Sequence, residues 1–303
     1  MATMGFAELH VHLEGAVDAA TLCEIAPDLT REDCEARMRF ETFGEFLASF
    51  KFVVMHLRSA DDYRMAARRL FARLAGEGVE YVEVIHSLGV NVWRGLDARG
   101  ILEALREEGR QAPLQVRWIV DAVRQFGEEH VSATARLAAE FAESEVVAFG
   151  IGGDETGAPV AALRPGFAWA KQAGLHLTAH AGETSNAENV WEALSLGVER
   201  IGHGIRAIED PQLVAELARR QMLLEISLTS NVRTGAAPSY AAHPALALFR
   251  AGVPIVLNTD DPALFQTTLA QEFRHAREKC GFSEEELQTI QQNAFRFAFA
   301  PPK

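Results

Sequence analysis

His10-Val11-His12 puts two imidazoles two residues apart at the end of the apolar run Phe6 to Val11. In an extended strand, residues two apart share a face, so both rings can reach one ion. Similar polar groups follow other apolar runs. His180 follows Leu175 to Ala179, His203 ends Arg200-Ile201-Gly202, and Asp260-Asp261 follow Pro254 to Thr259. Imidazoles with one carboxylate form a zinc donor set that leaves room for a water, whose pKa the metal lowers. A core histidine explains any one of these positions but explains the collection poorly. His10, His12, His180 and Asp260 are assigned as ligands of one Zn²⁺ per chain. Asp261 is then spare and points toward substrate, and His203 is left to support the ligands or act in catalysis. Glu183, three residues beyond His180, can return a carboxylate to the same pocket; otherwise it is an acid at a helix N-terminus. Iron or a two-metal site suits the same ligand types.

These groups act together only if several strand ends meet. Eight β-rich runs are legible: 6–11, 81–85, 116–120, 146–151, 175–179, 200–203, 223–227 and 254–258. Helical patterns over 97–110, 128–144, 159–173, 187–197, 209–220 and 242–251 separate the later ones. Alternating strands and helices imply parallel pairing, and eight units imply an α/β fold of the closed (β/α)₈ TIM-barrel type, with an open doubly wound sheet as the alternative. Residues 1–303 then form a single barrel whose strand ends converge on one mouth. The connection over about 15–79 is a helical excursion on that side, a lid or an added packing layer, with Phe43, Phe46, Leu47, Phe50 and Val54 at helical spacing. Ser283 followed by three glutamates starts a last helix over 283–299, whose Phe295 and Phe299 should pack on the barrel.

Composition agrees with an enzyme of small molecules. Of 303 residues, 48% are hydrophobic, enough for a large core, and the formal charge of -13 argues against nucleic-acid or polybasic membrane binding. Cys23, Cys34 and Cys280 make no CxxC pair and no disulfide framework. The first residues show no secretion signal and no run spans a bilayer, so a cytoplasmic location is expected. A homodimer through exposed helical faces is left open.

The motifs together resemble the adenosine deaminase family of the amidohydrolase superfamily. They are Leu9-His10-Val11-His12-Leu13-Glu14-Gly15, Gly152-Gly153-Asp154-Glu155, His180-Ala181-Gly182-Glu183, Arg200-Ile201-Gly202-His203-Gly204, Ser230-Asn231 and Asn258-Thr259-Asp260-Asp261-Pro262, in family order. The resemblance implies a (β/α)₈ barrel, one zinc and hydrolytic deamination of an aminopurine. It gives His10, His12, His180 and Asp260 the ligand roles and makes Glu183 the proton shuttle at purine N1. It makes His203 the group that orients the attacking water, Asp261 a partner of water and N7, and Gly153 a backbone contact to N3. Glu14 falls where nucleoside deaminases meet the 5′ side of the sugar, with glutamate in place of the familiar aspartate.

The expected substrate is adenosine or a 5′-modified adenosine. The segment Ser87 to Gly95 resembles the aminofutalosine deaminase branch, which acts in menaquinone biosynthesis; adenine is a further alternative. A 5′-aryl substituent needs packing, which Phe50 and Trp93 can supply, and a cation, for which Arg94 and Arg233 are candidates. Each has a plainer role open to it, as core or solvated surface. His86 is read as a structural hydrogen bonder, and His243 and His275 match no motif. Other classes are an amide- or phosphoester-opening hydrolase and a non-catalytic metal-binding barrel.

Overall fold

Strands β1 (Phe6–His12), β2 (Val79–His86), β3 (Gln115–Val123), β4 (Val146–Gly152), β5 (His176–Ala181), β6 (Arg200–His203), β7 (Leu223–Ile226) and β8 (Ile255–Leu257) pair in parallel in chain order. The computed structural model describes residues 5–142, 145–156 and 160–300, Ala161 by backbone only. The result is a nearly closed (β/α)₈ barrel. A bridge between Val11 and Asp260 joins β1 to the end of β8. There the His12 N–H donates to the Asp260 carbonyl at 2.7 Å, and the Asp260 N–H donates to the His10 carbonyl at 3.2 Å. Side chains extend this seam. Leu9 N–H donates to Asn258 Oδ1 at 3.0 Å, and Thr259 N–H donates to Glu8 Oε1 at 2.7 Å. Two expected ligands and a third therefore sit where the barrel closes.

Strands covered on both faces read as apolar runs, which made them legible. Their ends were less so. β3 runs on to Val123 and carries Asp121, and β5 runs on to Ala181 and includes His180. The helix expected over 128–144 ends at Ala139, with 143–144 outside the described residues. The one expected from 159 opens as a 3₁₀ turn, Val160–Leu163, before the helix Arg164–Gln172; residue 159 is also outside them. Pro165 stands in the first turn of that helix, where a missing N–H costs nothing.

The 15–79 connection divides by role. Ala60–Gly76 packs beside Ala98–Arg110 and against β2, in the outer ring. The excursion proper is Ala19–Ile25, Arg31–Arg37 and Phe43–His56. Phe43–His56 begins with a capping box between Thr42 and Glu45 and lies over the mouth.

The last helix, Glu284–Arg296, starts at a capping box between Ser283 and Glu286 and packs against β1 and β8. The chain then runs under the barrel. Phe299 stacks on His176 at 4.5 Å and under the Arg200 guanidinium at 3.6 Å. Inside, Arg200 pairs with Glu83 and, at 2.7 Å, with Glu225. Glu225 meets His10 Nδ1 at 2.7 Å, so an ionic chain crosses the core from floor to mouth.

Candidate active site

The mouth gathers the strand-end residues named from sequence. Donor atoms of His10, His180, His203 and Asp260 lie within 4.8 Å of one another, as do those of His12, Asp260 and Asp261. His12 Nε2 is 3.1 Å from His180 Nε2 and 3.3 Å from Asp260 Oδ1, and His10 Nε2 is also 3.3 Å from that oxygen. Thus the four expected ligands converge, with His203 beside them. His203 and Asp260 hold positive φ, 61° and 64°, a backbone state costing about 1–3 kcal/mol that persists only where surroundings enforce it.

The electrostatics suit a cation. Burial, reinforced by neighbouring imidazoles, keeps His180 neutral, and burial lowers His12 to about 4. Burial also disfavours charge on His10, but the Asp260 carboxylate 3.3 Å away and the hydrogen bond to Glu225 outweigh it and raise the pKa to about 10. Asp260 is held well below the carboxylate range, because His10 and the other adjacent imidazoles overcome its burial. His10 Nε2 and His12 Nδ1 are buried without a hydrogen-bond partner. The imidazoles of His12 and His180, kept neutral by burial, crowd with His10 around an ionised carboxylate, a donor set that a divalent cation fits.

Glu183 is buried beside this group, Oε2 3.7 Å from His203 Nε2. Burial, then the charges of Asp260 and Glu155, push its carboxyl well above the usual range. Glu155 also shapes the turn that carries it, accepting N–H bonds from Gly182 at 3.2 Å, Glu183 at 2.9 Å and Ser185 at 3.0 Å. Asp261 is likewise raised by burial and by Asp260, and its Oδ1 lacks a hydrogen-bond partner. Gly15 must be glycine here, since a Cβ would stand 1.7 Å from that oxygen.

A cavity of about 380 Å³ opens from these residues, bordered by His12, Asp121, Gly153, His180, Glu183, His203, Asp260 and Asp261. Gly153 has φ 96°, and a Cβ would meet Gln125 at 2.2 Å, so backbone alone faces the space. The outer wall is apolar. Phe43, Phe46, Leu47, Phe50, Val54 and Met55 form one stripe of the helix Phe43–His56, facing Trp93 and Phe126, whose rings stack at 5.0 Å. Phe50 lies 6.2 Å from the His12 ring and Trp93 is 53% exposed at the rim.

The two candidate arginines stand elsewhere. Arg94 donates to the carbonyls of Val54 and Leu57 at 2.6 Å each, fastening the end of the stripe-bearing helix. Arg233 donates to the Leu264 carbonyl at 2.9 Å and covers the Phe40 ring. Neither borders the cavity, because each guanidinium is committed to backbone. Lys51, on the same helical stripe, is the basic residue besides histidine among those lining it. Glu14 is fully buried and absent from the lining; its Oε1 meets His86 Nδ1 at 2.9 Å and the Ser87 N–H at 3.1 Å.

Sequence reasoning missed several supports. Arg124 donates to the His180 carbonyl and, at 3.2 Å, to Asn189, fixing the end of β5. Ser230 Oγ donates to Asp260 Oδ2 at 2.6 Å. Asp121 lines the floor, Oδ2 3.7 Å from His180 Nδ1, and burial raises it to about 8. Ser230 was inside a quoted motif; Arg124 and Asp121 had no spacing signal.

A family profile described as Adenosine deaminase matches residues 6–303. The chain is 34% identical to an aminodeoxyfutalosine deaminase of Streptomyces coelicolor, over 98% of this chain and 81% of the relative. It is 36% identical to an adenine deaminase of Rhizobium leguminosarum bv. trifolii, over 96% and 94%. The crystal structure of an adenine deaminase from Arthrobacter aurescens superposes with TM-score 0.91 at 27% identity, covering 98% of this chain and 94% of that one.

Proposed function

The chain belongs to the adenosine deaminase family and is a metal-dependent enzyme with a purine deaminase's chemistry; from that premise we propose that it hydrolyses the 6-amino group of an adenosine extended at its 5′ position. The products are ammonia and the corresponding 6-oxopurine nucleoside. The length of the apolar wall that borders the cavity carries the choice of substrate. From Phe43 to Met55 the apolar stripe runs about 18 Å at the helical rise of 1.5 Å per residue. A free base leaves most of that wall uncovered, whereas an aromatic 5′ substituent reaches Phe50, Trp93 and Phe126. Lys51, one of only four lysines in the chain, supplies positive charge for an anionic end of that substituent.

His10, His12, His180 and Asp260 would hold one zinc, which when bound lowers the pKa of water and stabilises negative charge on oxygen. The chain supplies the remaining steps. Glu183, kept protonated by burial and its acidic neighbours, donates to purine N1, so the ring accepts electrons as oxygen adds at C6. His203 holds the attacking oxygen from the side facing Glu183 and Asp260. Asp261 meets N7, and the Gly153 N–H meets N3. The closely fitted stripe excludes water from the base and retains the substituent.

Adenine is the second reading, favoured by the relatives of that name and by Glu14, whose engagement with His86 and Ser87 withdraws the expected 5′ contact. Ultraviolet spectra and ammonia release separate the two. Zinc-loaded protein is offered adenosine, deoxyadenosine, adenine and 6-amino-6-deoxyfutalosine. A preference of at least tenfold in kcat/KM for the last is expected. Faster turnover of adenine than of every nucleoside would overturn the proposal.

A further inference from the structure

We propose that His243 is a positioning residue of the catalytic centre, holding His203 through Asn231 in the tautomer whose Nε2 carries the hydrogen. His243 lies 40 residues beyond His203, in the turn before the helix Ala245–Arg250, and takes no part in the donor cluster. Its link to the site is a run of three buried hydrogen bonds whose directions can be worked out.

The Ala245 backbone N–H is 3.1 Å from His243 Nδ1. A backbone N–H only donates, so Nδ1 must accept, and a neutral His243 then carries its hydrogen on Nε2. Burial keeps that ring neutral, with its pKa lowered to about 3. Nε2 is 3.2 Å from Asn231 Oδ1, to which it donates. The Asn231 amide is thereby fixed with its NH₂ turned the other way, where Nδ2 stands 3.1 Å from His203 Nδ1. An NH₂ also only donates, so His203 Nδ1 accepts and its hydrogen goes to Nε2.

That hydrogen points toward Glu183 Oε2 and Asp260 Oδ2, at 3.7 and 4.0 Å. An N–H there stabilises an oxygen gaining negative charge at C6; a lone pair there would oppose it. Asn231 is wholly buried on the helix Leu228–Arg233 and His243 nearly so, which keeps both partners out of bulk solvent. Without the His243 donor, the Asn231 oxygen is orphaned, and turning the amide to relieve it offers that oxygen to His203. The tautomer then reverses while the imidazole stays in place.

The test uses zinc-loaded protein with ¹⁵N-labelled histidine. In the wild type, both His203 and His243 should give the neutral Nε2–H nitrogen signature; hydrogen on Nδ1 of either ring overturns the proposal without recourse to any variant. His243→Phe keeps bulk and removes the donor. It should lower kcat by about 100-fold, leave KM within about threefold and move His203 toward Nδ1–H. His243→Gln, which can accept from Ala245 and donate to Asn231, should recover kcat to within about tenfold of wild type. A His243→Phe protein with wild-type kcat, or an unchanged His203 signature beside a kcat loss that Gln does not repair, overturns it in favour of simple packing. The tautomer measurement does not depend on the substrate proposed above, so failure of that assignment is read separately, as faster turnover of adenine than of every nucleoside by the wild type.

Discussion

At the scale of the residue, the proposed roles put metal holding and proton transfer on different side chains, so substitutions should separate them. Glu183→Gln removes a carboxyl beside the donor cluster but no expected donor. It should keep its zinc, by metal analysis, and lose about 10²–10⁴-fold in kcat. Full turnover by the zinc-loaded variant would reject Glu183 as proton carrier. His12→Ala removes a nitrogen 3.1 Å from His180 Nε2 and 3.3 Å from Asp260 Oδ1. Zinc content and turnover should fall together, and wild-type zinc content in that variant would reject His12 as ligand. The two carboxyls Glu183 and Asp261 are both raised by burial near Asp260, which alone is held ionised by imidazoles. One carboxyl whose proton affinity is lowered beside two whose proton affinity is raised suits a site that must bind a cation and still donate protons.

At the scale of the element, strand ends place the site and ion pairs fasten the outer layer. Glu145 stands just before β4 and accepts from Arg106 at 3.0 Å and Arg110 at 2.8 Å, tying Ala98–Arg110 to the sheet. Burial raises its pKa, but the arginine bonds outweigh it and bring the group to about 2. A folded value below the unfolded 4.5 means that the contribution is present above pH 4.5 and lost as pH falls toward 2. Glu145→Gln should therefore cost about 1 kcal/mol at pH 7, allowing for solvent screening, and almost nothing near pH 2. Urea unfolding at both values checks this; an equal cost at both would mean the arginine bonds are not its source. Inside the barrel, Glu83, Arg200 and Glu225 connect His10 to the chain under the floor, so an element remote from the mouth is tied to a proposed ligand.

At the scale of the whole molecule, three of the four proposed donors come from the two ends of the chain. His10 and His12 lie on β1 and Asp260 follows β8, so the proposed cation site spans the seam where the barrel closes. A ligand that binds only the closed barrel stabilises it by mass action. Removing zinc with a chelator should lower the melting temperature, and restoring zinc should recover it, with about 4 kcal/mol at stake when free zinc is 1,000 times its dissociation constant. His12→Ala should shrink that shift. A melting temperature indifferent to chelation would mean that the seam closes without the ion. No helix among the described residues is long and apolar enough to cross a membrane.

The sequence by itself determined the eight-unit order and singled out the strand-end side chains that the fold brings together. Strands covered on both faces must be apolar, and reactive side chains at their ends interrupt that pattern visibly, as His180 and Asp260 do. What only the tertiary structure decided concerns groups paired across long separations. Arg94 and Arg233 read as free cations until the fold showed each guanidinium on backbone carbonyls 30 or more residues away. Lys51 stood unremarked until the helix Phe43–His56 turned its stripe to the cavity. His243 matched no motif, because its bond to Asn231 joins the turn before Ala245–Arg250 to the helix Leu228–Arg233, and hydrogen-bond direction has no signature in spacing. Periodicity records which face of an element is buried; it does not record which partner waits there.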